Sequence, residues 1–352
     1  MKRKSLITQE DKELINRKNC FDFIRYYLAL VIIFVHFSVL SEKLEFNWIT
    51  NGGEAVSGFF TLSGFLIFYS FLKRPELKNY VSKRLRRILP PYFFIVITCA
   101  AAGILVTGLT AKEYLLSGQL YKYLLSNLCF MNFLEPCLPG VFTGNIIPAV
   151  NGSLWTMKVE LMLYATVPIT YYLFKRYNKA AVLITIFALS IIYKYTFLHL
   201  FDTTGNELYR IMSRQVGTQL IYFYSGTALL FCFSKFQKHI KLILPSTLIV
   251  YAAQQYIPFY EYIAPFIFSI IIIGIAYNFK FLNIFNRLPN ISYSIYLFHF
   301  PVIQTILNFR IHEINPYLAL FLSIVLTIVL AYFSYKYVEK PFMSRTAKDK
   351  AA

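Results

Sequence analysis

Arg25 and His36 stand eleven residues apart in one apolar stretch, FDFIRYYLALVIIFVHFSVL. Eleven residues of α-helix rise about 16 Å and return almost to the starting azimuth, so both side chains project from one face. A charge in hydrocarbon costs at least about 2.5 kcal/mol, so those that persist face a protein interior or a watery path and mark a site. Guanidinium holds phosphate in a bidentate fork, and imidazole suits proton transfer near neutral pH. A lone buried histidine is also an ordinary structural partner. The shared stripe favours chemistry: a ligand anchored by phosphate at Arg25 that extends along the helix to a general base at His36.

Three further groups bear on that path. Arg84 and Arg87, in KRLRRILPPY, sit three apart on one helical face. They read either as topology signal and lipid-headgroup contact or, converging with Arg25, as a phosphate cluster. Glu160 lies in NGSLWTMKVELMLY, about 12 Å into a helix from its outer end, a depth close to that inferred for His36. Ser153, Glu160 and Tyr164 are expected on one face, with Glu160 orienting His36, acting separately as acid or base, or serving a helix-to-helix ion pair. In ISYSIYLFHFP, Ser292, Tyr296 and His299 also share a face, and His299 reads as a channel-lining or a core hydrogen-bonding residue. Ser63 and Gly64 in FFTLSGFLIF read first as a close helix contact. His199, His239 and His312 fall in links and read as solvated.

The elements that must position these groups are membrane helices. Of 352 residues, 57% are hydrophobic and 15% charged, too apolar a chain for a soluble domain to bury. Ten spans are expected, at 23–40, 55–72, 88–108, 152–174, 180–198, 215–234, 242–257, 261–277, 291–309 and 316–338. With the N-terminus in the cytoplasm, most of the 35 Lys and Arg fall in inside links, so the net charge of +18 reflects topology and not nucleic acid. Both termini are then cytoplasmic: a tail at 1–22, one membrane domain at 23–343 and a tail at 344–352. The first helix is expected to be retained, with no cleavable signal peptide. The stretch 109–151 lies outside, and its apolar LLSNLCFMNFL is too short for an ordinary crossing, so a re-entrant or interfacial segment is expected. The five cysteines show no metal-ligand spacing, and no metal is expected; a Cys129–Cys137 disulfide stays open.

Taken in order, Arg25 with His36, FFTLSGFLI, RLRRILPPY, NGSLWTMKVELMLY, ISYSIYLFHFP and VEKPF at 338–342 resemble the acyltransferase 3 family of integral membrane acyltransferases. The resemblance implies ten helices in the bacterial cytoplasmic membrane and no permanently bound cofactor. It implies acetyl-CoA, or another acyl-CoA, as donor, and a surface polysaccharide or lipid-linked glycan hydroxyl as acceptor. By similarity, His36 and Glu160 are catalytic, and Arg25, Arg84 and Arg87 handle the acyl-CoA. Ser63, Ser153, Trp155, Tyr164, Tyr296 and His299 are candidate channel or acceptor-site residues. Many members carry an acid shortly before the FF pair; here Ser57 stands there, with Glu54 the nearest carboxylate, so that role does not carry over. A hydrolase-like domain fused to some relatives is not expected. The rival reading is a transporter or flippase for a lipid-linked glycan, which moves an acceptor without forming an ester; an exporter or sensor without chemistry has nothing specific in its favour.

Overall fold

The computed structural model describes residues 5–46 and 52–343, and among these it is helical with no strand. In chain order the α-helices are α1 Gln9–Ile15, α2 Phe21–Ser41, α3 Gly52–Lys73, α4 Leu77–Ala102, α5 Ala111–Leu116, α6 Gly118–Leu128, α7 Trp155–Arg176, α8 Lys179–Thr204, α9 Glu207–Met212, α10 Val216–Phe231, α11 Phe233–Lys238, α12 Ile240–Ala252, α13 Tyr260–Asn278, α14 Ser292–Asn308, α15 Ile311–Ile314 and α16 Pro316–Ser334. A π turn, Tyr335–Glu339, continues α16. The helix ends follow local chemistry. Thr8 and Thr110 form capping boxes with Asp11 and Glu113, Asn315 caps α16 ahead of Pro316, and Gly205 ends α8 in the left-handed conformation.

Each of the ten expected spans falls on a helix. Among the described residues six stretches are long and apolar enough to cross a bilayer: Phe21–Ser41, Gly52–Lys73, Leu77–Leu105, Lys179–Thr204, Tyr260–Asn278 and Pro316–Met343. The helices on the other four, α7, α10, α12 and α14, are shorter or more polar. Along α8, Ile184, Leu189 and Ile192 are 65, 58 and 61% exposed, apolar surface suited to lipid rather than water. The chain is a multi-pass membrane protein.

The helices add detail to several expectations and correct some of them. The link before the third span is helical from Leu77, because LKNYVSKRLRR lacks Gly and Pro and is rich in helix formers. His199 lies within α8, which runs to Thr204, and His312 is half-buried. Part of the expected N-terminal tail is α1, whereas the expected tail at 344–352 lies outside the described residues. The apolar segment of the 109–151 stretch contributes to α6, whose eleven residues rise about 16 Å, short of a crossing. All five cysteines are free, Cys129 and Cys137 included.

The helices pack as two compact units. The first comprises Met1–Ile24, Val56–Leu77 and Val159–Leu288; in it α10 packs on α8 and α13, and α12 on α13. Here α3 and α10 touch backbone to backbone: a Cβ on Gly64 would collide with the Phe223 carbonyl oxygen, and one on Gly226 with that of Thr61. The Ser63–Gly64 pair thus marks a close helix contact, as its small side chains suggest. The second unit comprises Arg25–Ala55, Lys78–Lys158 and Pro289–Ala352, with α14 packed on α16. In it Tyr92 donates to the Asn127 carbonyl at 2.7 Å and Tyr114 to that of Ala100 at 2.7 Å, binding α6 and α5 to α4.

Candidate active site

His36 Nδ1 lies 2.7 Å from His299 Nε2 in the second unit. The ring centroids are 4.9 Å apart and the planes 13° off parallel. Each nitrogen lies about 1.1 Å from its ring centre, so a centroid distance only some 2 Å longer than the N–N contact means rings meeting edge to edge, in one plane, rather than face to face. That is the geometry of an in-plane N–H···N hydrogen bond.

The tautomers follow from the partners. His299 is fully buried, and its Nδ1 faces the Ile295 and Tyr296 carbonyls one turn back without closing a good hydrogen bond to either. Carbonyls accept, so that nitrogen carries the proton and His299 Nε2 is the acceptor. His36 Nδ1 then donates, and its Nε2 keeps a lone pair. His36 itself is half-buried, and among the described residues no hydrogen bond engages that Nε2. The pair presents one oriented, unprotonated imidazole nitrogen.

α2 and α14 run parallel and in register beside this contact. The Tyr26 hydroxyl donates to the Pro289 carbonyl, and His36 meets His299 ten residues further along both chains. The end of α14 near Pro289 gathers the other sequence-predicted groups of this unit. Tyr293 donates to the Ile88 carbonyl at 3.1 Å, holding the stretch of α4 that bears Arg84 and Arg87. Ser294 donates to Glu339 of the VEKPF segment, and Arg87 is the cation whose charge that buried carboxylate feels. Arg25 precedes Tyr26 by one residue, so the region of all three arginines is tied to one end of α14. Pro90 and Pro91 inside α4 remove the two amides that would close helical bonds to the Arg86 and Arg87 carbonyls. Arg84 lies over the Tyr80 ring at 5.8 Å.

The far end of the site is braced by the segment before α7. Pro301 has no amide to bond the Leu297 carbonyl, and Asn151 Nδ2 takes that carbonyl at 2.9 Å instead. Asn151 Oδ1 accepts from the Ser153 hydroxyl at 2.7 Å, and Thr156 donates to the Tyr296 hydroxyl at 2.8 Å. The Gln304 amide donates to the Ala149 carbonyl at 2.7 Å, while Asn145 donates to Gln304 at 3.0 Å. A Cβ on Gly152 would come 2.8 Å from the Phe300 ring, whose edge packs against His36 with centroids 5.3 Å apart. The loop therefore holds the turn of α14 that carries His299.

Ser153 lies ahead of α7 in this turn, so it does not share the helical face expected with Glu160 and Tyr164. Those two do share one: in the first unit Tyr164 donates to Glu160, and Ser63 Oγ lies 3.4 Å from the Tyr164 hydroxyl. Trp155 opens α7 and is half-buried. Lys158 lies over the Phe133 ring at 4.9 Å. Asn151, Thr156, Phe300 and Gln304 escaped the sequence reading; the only signal for them was polar residues and a proline in an apolar helix.

The arrangement places arginines of α2 and α4 toward one end of α14 and an oriented imidazole of α2 ten residues further along. The chain is 26% identical over 344 residues to an O-acetyl transferase of Shigella phage Sf6, covering 95% of this chain and 98% of that protein. It is 28% identical over 177 residues to nodulation protein 10 of Rhizobium leguminosarum bv. viciae, 47% of this chain and 48% of that one. A Bacillus subtilis (strain 168) protein provisionally named a peptidoglycan O-acetyltransferase is 26% identical over 362 residues, 89% of this chain and 54% of the relative. The chain thus spans about half the length of the last two. No solved structure matches. Residues 18–336, nearly the whole helical chain, match the Acyltransferase domain, and the protein belongs to the acyltransferase 3 family.

Proposed function

We propose that this acyltransferase moves an acetyl group from cytosolic acetyl-CoA to a hydroxyl of a cell-surface polysaccharide, such as O-antigen, capsule or exopolysaccharide, at the outer side of the bacterial cytoplasmic membrane. The single observation that carries the reading is the His36–His299 contact, which leaves His36 Nε2 with a free lone pair. The O-acetyltransferase names of relatives support the acetyl group and the hydroxyl acceptor. Ten spans with both termini cytoplasmic give the path its direction, from Arg25 inside toward His36.

In this reading Arg25, Arg84 and Arg87 hold the CoA phosphates. His36 Nε2 removes the acceptor proton as the hydroxyl oxygen attacks the thioester carbonyl carbon. Collapse of the tetrahedral intermediate breaks the C–S bond, and the imidazolium returns its proton to the departing thiolate, giving ester and free CoA. His299 holds the imidazole through Nδ1 as the carboxylate does in a catalytic triad. Glu160, which accepts from Tyr164, is proposed as a further acid–base residue, and Ser63, near the Tyr164 hydroxyl, as an acceptor-site residue. A covalent acyl-imidazole relay through the same nitrogen uses the same residues.

Membranes incubated with radiolabelled acetyl-CoA test the reading. Label is expected in polysaccharide, released by mild alkali and absent with His36→Ala, although that variant still inserts. Acetylation retained by His36→Ala sinks the assignment, and label that stays on CoA while glycan crosses the membrane favours the transporter.

A further inference from the structure

A cavity of about 440 Å³ lies within the first unit, away from any residue assigned above. Its walls come from the segment before and within α1, the last turn of α3 and the last turn of α7. That volume is within the range of ligand sites. Three of its lining residues are lysines, Lys12, Lys73 and Lys175, one from each wall, and among the described residues no Asp or Glu lines it. Among the described residues none of the three forms an ion pair.

The floor is aromatic and buried. Tyr69 and Tyr171 are 7 and 5% exposed, with Lys73 Nζ 4.3 Å above the first ring centroid and Lys175 Nζ 4.7 Å above the second. Asn16 Oδ1 accepts from both Lys73 Nζ at 3.0 Å and the Tyr69 hydroxyl at 3.1 Å. With the oxygen so committed, the Asn16 amide has its two N–H donors left.

The α1 wall is fixed. Asp11 accepts from the Ser234 amide at 2.7 Å, Lys179 donates to the Leu6 carbonyl at 3.1 Å, and Tyr277 donates to that of Ile15 at 2.9 Å. Lysine in a last helical turn is ordinarily explained by the negative end of the helix dipole. That accounts for each of the three singly, Lys12 in the last turn of α1 included. It does not account for their meeting from three helices at one cavity, nor for the lack of a carboxylate among its described lining residues.

We propose that this cavity is a binding site for a phosphate-bearing anion, taken up as a phospholipid headgroup or as a soluble phosphate compound. Three ammonium groups and an amide converging on one volume supply charge-assisted hydrogen bonds to phosphate oxygens from several sides, two of the ammonium groups resting over the tyrosine floor. The inference is independent of the acyl-transfer reading.

The test uses the full chain in neutral detergent, titrated with short-chain phosphatidic acid, with inorganic phosphate and, as control, with short-chain phosphatidylcholine, and followed by native mass spectrometry. Phosphatidic acid is expected to bind at least tenfold more tightly than phosphatidylcholine. The triple variant K12Q/K73Q/K175Q is expected to lose that preference, K12R/K73R/K175R to keep it, and K112Q/K238Q/K241Q, made at exposed lysines elsewhere, to keep it. Binding of phosphatidic acid alone assigns the site to lipid; competition by inorganic phosphate assigns it to the phosphate group itself. No preference in the native protein, or the same loss in both glutamine triples, overturns the proposal.

Discussion

A histidine that donates through Nδ1 is a different reagent from a solitary one, because the donated proton leaves the lone pair at Nε2 and fixes the ring plane. Arg25 and His36 were legible in the sequence from their spacing alone, and His299 from its place on a polar face. What the spacing does not carry is the 2.7 Å contact between the two histidines, which joins residues 263 positions apart. Three expectations follow from the donor–acceptor roles. His36→Ala should lower acetylation by at least about 100-fold without loss of protein from the membrane, measured as label transferred per mole of enzyme. His299→Ala should lower kcat by roughly 10–100-fold and leave KM for acetyl-CoA nearly unchanged, since it removes an orienting group and not a binding one. His299→Gln, whose amide oxygen accepts from His36 Nδ1, should recover part of that loss; a variant no better than alanine argues against the assigned tautomer.

The helices that place these groups depend on repairs to broken backbone bonds. Pro301 frees the Leu297 carbonyl, and Asn151 alone among the described hydrogen bonds takes it up by side chain. Asn151→Ala should cost about 1–3 kcal/mol as a buried carbonyl loses its partner, read from thermal unfolding in detergent. Pro301→Ala supplies an amide to the same carbonyl, so the Asn151→Ala cost should shrink in that background; equal costs in both would mean that Asn151 acts through Ser153 instead. The sequence displayed the proline but not its remedy, which comes from a loop about 150 residues away. Close packing at Gly64 was legible because small residues in apolar helices have few other uses, whereas its partner Gly226 was not, since helix pairing is long-range. At α1, burial pushes the Asp11 carboxyl up, but hydrogen bonds from the Thr8 hydroxyl, the Ser234 amide and the Thr8 amide outweigh it and hold the group below its ordinary value. A lowered folded-state pKa stabilises above the unfolded value and is lost as pH falls through the folded one. Asp11→Asn should therefore destabilise at neutral pH, with the difference closing below about pH 4.

At the scale of the whole chain, the sense of the donor path depends on how often the chain crosses. Among the described residues six stretches are long and apolar enough by themselves; the proposed ten crossings would place the excess of Lys and Arg in alternate links. α12 is the weakest of the ten: its thirteen residues rise about 20 Å, against roughly 30 Å of hydrocarbon. A missing crossing there would invert α13, α14 and α16, and α14 could not then run parallel to α2 across the bilayer. The in-register contacts Tyr26 with Pro289 and His36 with His299 therefore favour a crossing or its equivalent between residues 238 and 260. Two native cysteines and one engineered site test this. Cys129 is exposed in the stretch expected outside, Cys232 is exposed where α10 meets an inside link, and Lys340 is exposed just beyond the π turn. A membrane-impermeant maleimide added to intact cells, or to spheroplasts if an outer membrane is present, should label Cys129. It should reach Cys232, and the thiol introduced by Lys340→Cys, only after permeabilisation. Labelling of that introduced thiol from outside with Cys232 still protected would remove one crossing between α10 and Lys340 and overturn the topology of ten crossings with both termini inside.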